Sequence, residues 1–316
     1  MGVDKRLEKV AVFGAGHVGS TAAYHLAMNA PVEIALIDVD AGKATGLALD
    51  ISQSLPYAGS TSRVIGGGSP ELAKDARAVV VTAGFPRTPG MSRIDLTETN
   101  AVVVDEIALS IGEFAPDAVL IIVTNPVDEM TYTAWKTSGF AERRVVGMAG
   151  VLDTSRFIYF LGEIAGLDAR DVNALVLGSH GDEMVPLTDW SRVAGVPLSE
   201  SLDDSILEQC VARAREGGAQ IVSHLKTGSA YYAPAVSIGT MVLAVLGDTG
   251  RLLPASAFLR GEYGIEDVFI GVPARLGREG VVEVVELPLS PRELAALRRA
   301  AEAVRGRTSA GTGTGS

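Results

Sequence analysis

The chain has 316 residues, 47% of them hydrophobic, with a formal net charge of −11 and a single cysteine, Cys210. That length and apolar content build a core large enough for two lobes or two domains and exclude a disordered chain. The acidic balance, with a pI of about 4.9, excludes the basic face that a nucleic-acid partner needs, and one cysteine excludes an intrachain disulfide. Residues 1–9 lack the apolar region of a signal peptide, and no run reaches the ~18 apolar residues of a membrane span, so no membrane partner is expected. A disulfide-poor chain fits a reducing cytoplasm, with Cys210 as a small buried apolar residue.

Residues 9–13, Lys-Val-Ala-Val-Phe, read as one short buried parallel strand. Gly14-Ala15-Gly16-His17-Val18-Gly19 follows at once, then a helix over 20–29 with Ala22, Ala23, Leu26 and Ala27 on its apolar face. A second strand over 33–37 ends at Asp38, 19 residues beyond Gly19. A glycine triplet alone is a weak signal. Between a strand and a helix, with an acid at that distance, it reads as a dinucleotide site. Gly14 permits the tight turn, Gly16 lets the backbone approach a pyrophosphate, and Gly19 lets the helix pack on the strand. The helix N-terminus offers N–H donors to the phosphates. Asp38 would accept from the adenosine ribose hydroxyls and repel a 2′-phosphate. Val39 and Asp40 supply no cation to offset that, so NAD is expected rather than NADP.

A helix is predicted over 44–55, ending at Pro56, and strands over 63–65 and 78–82 flank a short helix at 71–75. Residues 83–95 then form a loop that places Arg87 and Arg93 six residues apart among Gly84, Pro86, Pro89 and Gly90. Two fixed cations at the carboxyl end of a strand point to an anionic ligand. One long helix over 92–114 and a buried strand over 118–124 lead to Asn125-Pro126. That pair reads as a helix start, with proline at the first position and the Asn125 side chain a neutral donor towards a ligand carbonyl. This alternation predicts an α/β fold with a doubly wound parallel sheet.

Beyond residues 145–147, a helix over 152–164 carries Asp153 and Arg156 on one face, a spacing that by itself describes an ordinary surface pair. A strand over 171–177 leads to Gly178-Ser179-His180-Gly181-Asp182. A histidine between glycines sits on a turn. Of the other three, His17 lies in the glycine loop, while His25 and His224 lie on helix-like stretches and read as structural or solvated. The second lobe continues with loose alternation over 184–196, a helix over 199–225 weakened at Gly217-Gly218, and an apolar helix over 229–246. Strands over 251–258, 267–271 and 280–286 and a closing helix over 290–305 complete it. The expected division is 1–148 for cofactor binding and 149–308 for an α+β substrate domain, with 309–316 as a flexible tail.

From Val10 to about Arg305 these ordered motifs resemble the L-2-hydroxy-acid dehydrogenases of the lactate/malate family. The resemblance rests on the glycine loop, the loop with Arg87 and Arg93, Val123-Thr124-Asn125-Pro126, Leu152-Asp153-Thr154-Ser155-Arg156-Phe157, and Gly178 to Asp182. It implies a Rossmann-type first domain and hydride transfer between substrate C2 and a nicotinamide ring. It also moves Asp153 and Arg156 from surface pair to active site. His180 would be the acid/base, Asp153 its orienting carboxylate, Arg156 the grip on the C1 carboxylate, and Arg93 the polariser of the C2 oxygen. Asn125 would donate to the substrate. Gly14, Gly16, His17, Val18, Gly19, Asp38, Thr82, Ala83, Gly84, Asn100, Val123 and Asn125 would border NAD, with no metal. In this family the position of Arg87 reads the group on substrate C3, and arginine goes with malate and oxaloacetate, a small dicarboxylate. Pro86, Pro89, Gly90, Met91 and Ser92 and the run from Lys226 to Tyr232 resemble the malate-using branch that is lactate-dehydrogenase-like overall. Gly178-Ser179 resembles lactate enzymes, so a lactate or dual-specificity enzyme is the neighbouring alternative. A non-catalytic NAD sensor is the distant one. The branch implies a homo-oligomer, a tetramer before a dimer.

Overall fold

The computed structural model describes residues 7–86, 91–181 and 183–311, the side chains of residues 93 and 309–311 apart. The first half alternates β1 (Glu8–Phe13), α1 (His17–Asn29), β2 (Val32–Ile37), α2 (Ala41–Ala58), β3 (Arg63–Gly67), β4 (Ala78–Val81), α3 (Arg93–Phe114), β5 (Val119–Ile122), α4 (Val127–Ser138) and β6 (Val145–Gly147). These strands pair in parallel in the order β3-β2-β1-β4-β5-β6. Every residue of β4 and β5 is buried, as strands covered on both faces require. Alternate residues feed opposite layers: Val10 and Val12 pack with residues of α1 and α2, Ala11 and Phe13 with residues of α3 and α4.

The second half contains α5 (Gly150–Ala165), β7 (Val172–Asn173), β8 (Val176–Gly178), β9 (Met184–Pro186), β10 (Arg192–Val193), β11 (Val196–Pro197), α6 (Leu198–Ser201), α7 (Asp204–Leu225) and α8 (Tyr232–Leu246). After them come β12 (Arg251–Arg260), β13 (Glu266–Gly277), β14 (Gly280–Val284) and α9 (Pro291–Gly311). Strand β12 joins the edge of β6 antiparallel, at Ser256 opposite Gly147, so one 11-stranded sheet crosses the boundary between the halves. Strands β11, β10 and β7 form a small separate sheet. The architecture is the expected doubly wound parallel sheet followed by an α+β half.

Several elements differ from their predicted form. The strand expected over 171–177 is two: β7 joins the small sheet and β8 the large one. The helix expected over 199–225 breaks because Leu202 and Asp203 are extended. Gly217-Gly218, the anticipated weak point, lies within unbroken helix α7. Helix α2 runs through Pro56 and stops at Gly59, whose φ of +67° lets its N–H turn back to the carbonyls of Leu55 and Pro56. Pro126 stands at the N-cap of α4 rather than inside it, and the Asn125-Pro126 bond is cis.

The closing helix reaches Gly311, three residues into the expected tail, while 312–316 lie outside the described residues. The reason sits one turn earlier. Arg307 donates from Nε to Glu129 at 2.5 Å and from both terminal nitrogens to Glu183 at 2.8 and 2.9 Å. This anchors the end of α9 to both α4 and the segment after His180.

Candidate active site

The carboxyl ends of β1 and β4 diverge where the strand order reverses, the place where open parallel sheets hold ligands. Here Gly14 adopts φ +103°, and a Cβ on it would sit 2.7 Å from the Ala83 nitrogen. A Cβ on Gly19 would collide with the Gly14 carbonyl oxygen, so α1 packs on the loop only with glycine there. Gly16 differs: no heavy atom lies within 4 Å of where its Cβ would be, and it forms the N-cap of α1. The open side of the loop therefore faces free space at a helix N-terminus, the geometry that receives a pyrophosphate. Thr82 braces the turn by donating to the carbonyls of Phe13 and Gly14, both at 3.1 Å. Ala83 and Gly84 continue the wall.

A cavity of about 480 Å³ opens here, bounded by Gly16, Asp38, Val39, Lys43, Ala83 and Phe85 among others. The Asp38 carboxylate accepts from the backbone of Ala15 at 2.6 Å and of Asp40 at 3.0 Å. It is thereby locked at the cavity rim, with lone pairs left for ribose hydroxyls. Lys43 is a cation at this rim that sequence spacing did not single out. These features fit an adenine dinucleotide: donors for phosphate at the loop, an acid for ribose, and apolar walls.

The other predicted cofactor residues divide. His17 is exposed and stacks on Tyr231 with ring centroids 5.1 Å apart, joining the glycine loop to the second half of the chain. Val18 and Val123 are partly buried against the core. Asn100 is 1% exposed, and its amide already holds the Phe85 N–H at 2.7 Å, the Phe85 carbonyl at 3.1 Å and the Asn125 carbonyl at 2.7 Å. It pins the start of the arginine loop to the Asn125 turn, leaving the Asn125 side chain exposed. His25 is a packing residue: it fills the space above Gly239 of α8, where even a Cβ would collide with the imidazole ring.

Arg87 and the loop 87–90 lie outside the described residues, as do Asp182 and the Arg93 side chain. The backbone of Arg93 opens α3 directly after Ser92. Ser92 and Asp95 close a reciprocal capping box, at 3.1 Å from Asp95 N–H to the Ser92 hydroxyl and 2.9 Å from Ser92 N–H to the Asp95 carboxylate. The box fixes where the loop ends.

Across the boundary, α5 and β8 bring together three predicted residues. His180 Nδ1 lies 2.9 Å from Asp153 Oδ2, and Arg156 Nη1 lies 3.7 Å from Asp153 Oδ1. The Val176 N–H donates to the Thr154 hydroxyl at 2.9 Å, which registers α5 against β8 and hence Asp153 against His180. Asp153 side-chain exposure is 4%, against 18% for His180 and 15% for Arg156, so the acid is enclosed and its two partners reach the surface of the site. Burial alone would push the His180 imidazole down. Asp153, by charge and hydrogen bond, outweighs that, and the ring titrates above the ordinary histidine value. With Nδ1 bound to a carboxylate, Nε2 is left to exchange a proton with a ligand. Burial also lowers the Arg156 pKa, an effect Asp153 opposes.

Two further groups escaped the sequence reading. A Cβ on Gly218 would stand 3.3 Å from Arg156 Nη2, and one on Gly217 3.2 Å from Phe160. The supposed weak point is the gap in α7 that admits the guanidinium. Asp128, on the first turn of α4, is 1% exposed and accepts from Ser256 Oγ at 2.6 Å. Its partner lies 128 residues away in sequence, which no spacing rule could have paired.

Family models for the lactate/malate dehydrogenases match almost the whole chain: the NAD binding domain over residues 8–147 and the alpha/beta C-terminal domain over 150–312. Malate dehydrogenase of Thioalkalivibrio sulfidiphilus is 47% identical over 288 residues, 91% of this chain and 94% of that protein. Among solved structures, malate dehydrogenase from Salinibacter ruber superposes with a TM-score of 0.90 at 41% identity, covering 95% and 96% of the two chains. Lactate dehydrogenase from Cryptosporidium parvum, in complex with lactic acid and nicotinamide adenine dinucleotide, superposes at 0.94 with 36% identity, covering 98% and 99%.

Proposed function

The chain belongs to the lactate/malate dehydrogenase family, and on that footing we propose that it interconverts (S)-malate and oxaloacetate with NAD as its cofactor. The observation that carries the chemistry is the enclosed Asp153 shared by His180 at 2.9 Å and Arg156 at 3.7 Å. Gly14, Gly16 and Gly19 would cradle the pyrophosphate and Asp38 the adenosine ribose. NAD, when bound, supplies the hydride acceptor or donor at its nicotinamide ring.

In this proposal Arg156 binds the C1 carboxylate of the substrate through its planar fork. His180 Nε2 takes the C2 hydroxyl proton during oxidation and returns it to the C2 oxygen during reduction. Asp153 holds the ring in the right tautomer and stabilises the imidazolium. Arg93 closes in with its loop and offsets the negative charge that develops on the C2 oxygen. Arg87 receives the far carboxylate. Asn125, exposed beside the Asn100 bracket, donates to the substrate. A substrate panel tests the whole reading: oxaloacetate with NADH is expected to give the highest kcat/KM, and a higher value with pyruvate would sink it.

Asp38→Ser removes the charged ribose acceptor and leaves Lys43 at the same rim. Expected is a loss of about 10- to 100-fold in kcat/KM for NADH, as befits one or two charge-assisted hydrogen bonds, with a gain for NADPH. Steady-state kinetics with both cofactors, beside a thermal melt to check the Ala15 contact, would measure it. An unchanged NADH constant would refute the role given to Asp38.

The proposal extends to assembly and setting. Tyr24 and Met28 on α1, Ile221, Val222 and Leu225 at the end of α7, and Tyr232 and Val236 on α8 are large apolar side chains exposed to solvent. Such a set supports a subunit interface, and the resemblance to the lactate-dehydrogenase-like branch makes the proposed assembly a homotetramer. A dimer mass by light scattering would contradict that count. Cys210 is a buried thiol, 3.6 Å from the Phe160 carbonyl, suited to a reducing cytoplasm.

A further inference from the structure

We propose that Asp128 is a positioning residue for His180: a second buried carboxylate, held by β12, that supports the protonated imidazole. The inference deepens the acid/base reading of His180 and rests on it.

The geometry comes first. Asp128 is 1% exposed, Ser256 0% and Ser179 1%. Ser256, on β12, donates to Asp128 Oδ1 at 2.6 Å. Ser179, the residue immediately before His180, is buried with its hydroxyl unpaired among the described residues. The carboxylate thus ties α4, which follows Asn125 directly, to β12, which lies against β8.

Charge then says what the site is for. A buried carboxylate costs stability unless something compensates it. Among the described residues no salt bridge reaches Asp128. The groups around it are specific. On its own helix stands Glu129, whose cation is Arg307 of α9, itself shared with Glu183. From the β8 turn comes His180, and behind His180 on α5 stand Asp153 and Arg156. Asp153 is the nearer counter-charge of a protonated His180, at 2.9 Å, but it also faces Arg156 at 3.7 Å. Asp128 adds a second carboxylate that acts on His180 in the same direction.

The titration behaviour agrees in sign. Burial first, and the like charge of Glu129 second, push Asp128 up to about 6, while the hydroxyl of Ser256 pulls it down. Above that pH it is ionised, and its charge acts on His180 in the direction that favours the imidazolium.

The test compares Asp128→Asn and Ser256→Ala with the unaltered enzyme in pH profiles of kcat/KM for oxaloacetate reduction and malate oxidation. Reduction requires protonated His180, so Asp128→Asn is expected to move its alkaline limb to lower pH. The rate should fall roughly three- to tenfold near about pH 8.5 and stay within about twofold near about pH 6. The acid limb of malate oxidation moves to lower pH as well, so oxidation near about pH 6 holds or rises. Ser256→Ala keeps the carboxylate but weakens its ionisation, and should shift both limbs in the same direction by less. It keeps the proposal testable even if Asp128→Asn does not fold. A uniform loss at every pH in both directions would mean a merely structural part, and unchanged profiles would mean no part at all; either overturns the proposal. Failure of the underlying reading looks different: the unaltered enzyme would not reduce oxaloacetate, or His180→Asn would keep its rate.

Discussion

His180→Asn is expected to lower kcat for oxaloacetate reduction by at least about 10³-fold, with NADH binding retained. The size follows from removing the proposed proton carrier at the C2 oxygen, a group worth on the order of 10²–10⁴ as general acid, together with the charge that Asp153 would stabilise. NADH fluorescence titration separates binding from turnover, because the glycine loop and Asp38 belong to the first half of the chain and His180 to the second. A variant that kept its rate would refute the proton relay. The unaltered enzyme should show the matching pH signature. His180 titrates above 6.5, held up by Asp153 against burial. Reduction therefore runs at full rate below the folded pKa and declines as pH rises through it, while oxidation does the reverse. The stability it contributes follows the same sign: fully present below the unfolded value of about 6.5 and lost as pH climbs through the folded one.

The second large effect concerns Arg87→Gln. A guanidinium enclosed with a substrate that lacks the far carboxylate is left unpaired at a cost of about 3–5 kcal/mol, roughly a thousandfold in kcat/KM. Glutamine removes that penalty for pyruvate and removes the partner for oxaloacetate. The ratio of oxaloacetate to pyruvate kcat/KM should thus fall by on the order of a thousandfold. Steady-state kinetics on both substrates measures it, and an unchanged ratio would remove Arg87 from substrate choice. Arg87 lies outside the described residues, so this expectation rests on its place in the loop between β4 and α3 and on the family resemblance.

What the sequence made legible was local. The strand, glycine loop, helix and acid of the dinucleotide site lie within the first 38 residues, and Gly14 and Gly19 do steric jobs that their neighbours dictate. The apolar runs of β4 and β5 were readable because strands buried on both faces have no polar alternation to interrupt them. Asp153 and Arg156 were visible as an i,i+3 pair whose spacing describes a surface as well as a site; the family resemblance favoured the site, and the fold puts His180, just after β8, 2.9 Å from Asp153. Asn100 shows the limit most clearly. The resemblance placed it near the cofactor, while nothing in its spacing showed that its amide brackets the backbone at Phe85 and Asn125. Asp128 and Ser256 were invisible for the same reason, since their bond spans 128 residues and neither motif contains the other.

The gap in α7 has a practical bearing on any effort to make this protein more heat-resistant. A standard survey of helix interiors would choose Gly217 and Gly218 for replacement by alanine, for a gain of about 0.5–1 kcal/mol per position. At Gly218 the added methyl would be 3.3 Å from Arg156 Nη2, so the sturdier helix would push on the group proposed to grip the substrate. On that proposal helix propensity and substrate grip are opposed at that position, and thermostability is better sought on the exposed faces of α2 or α9.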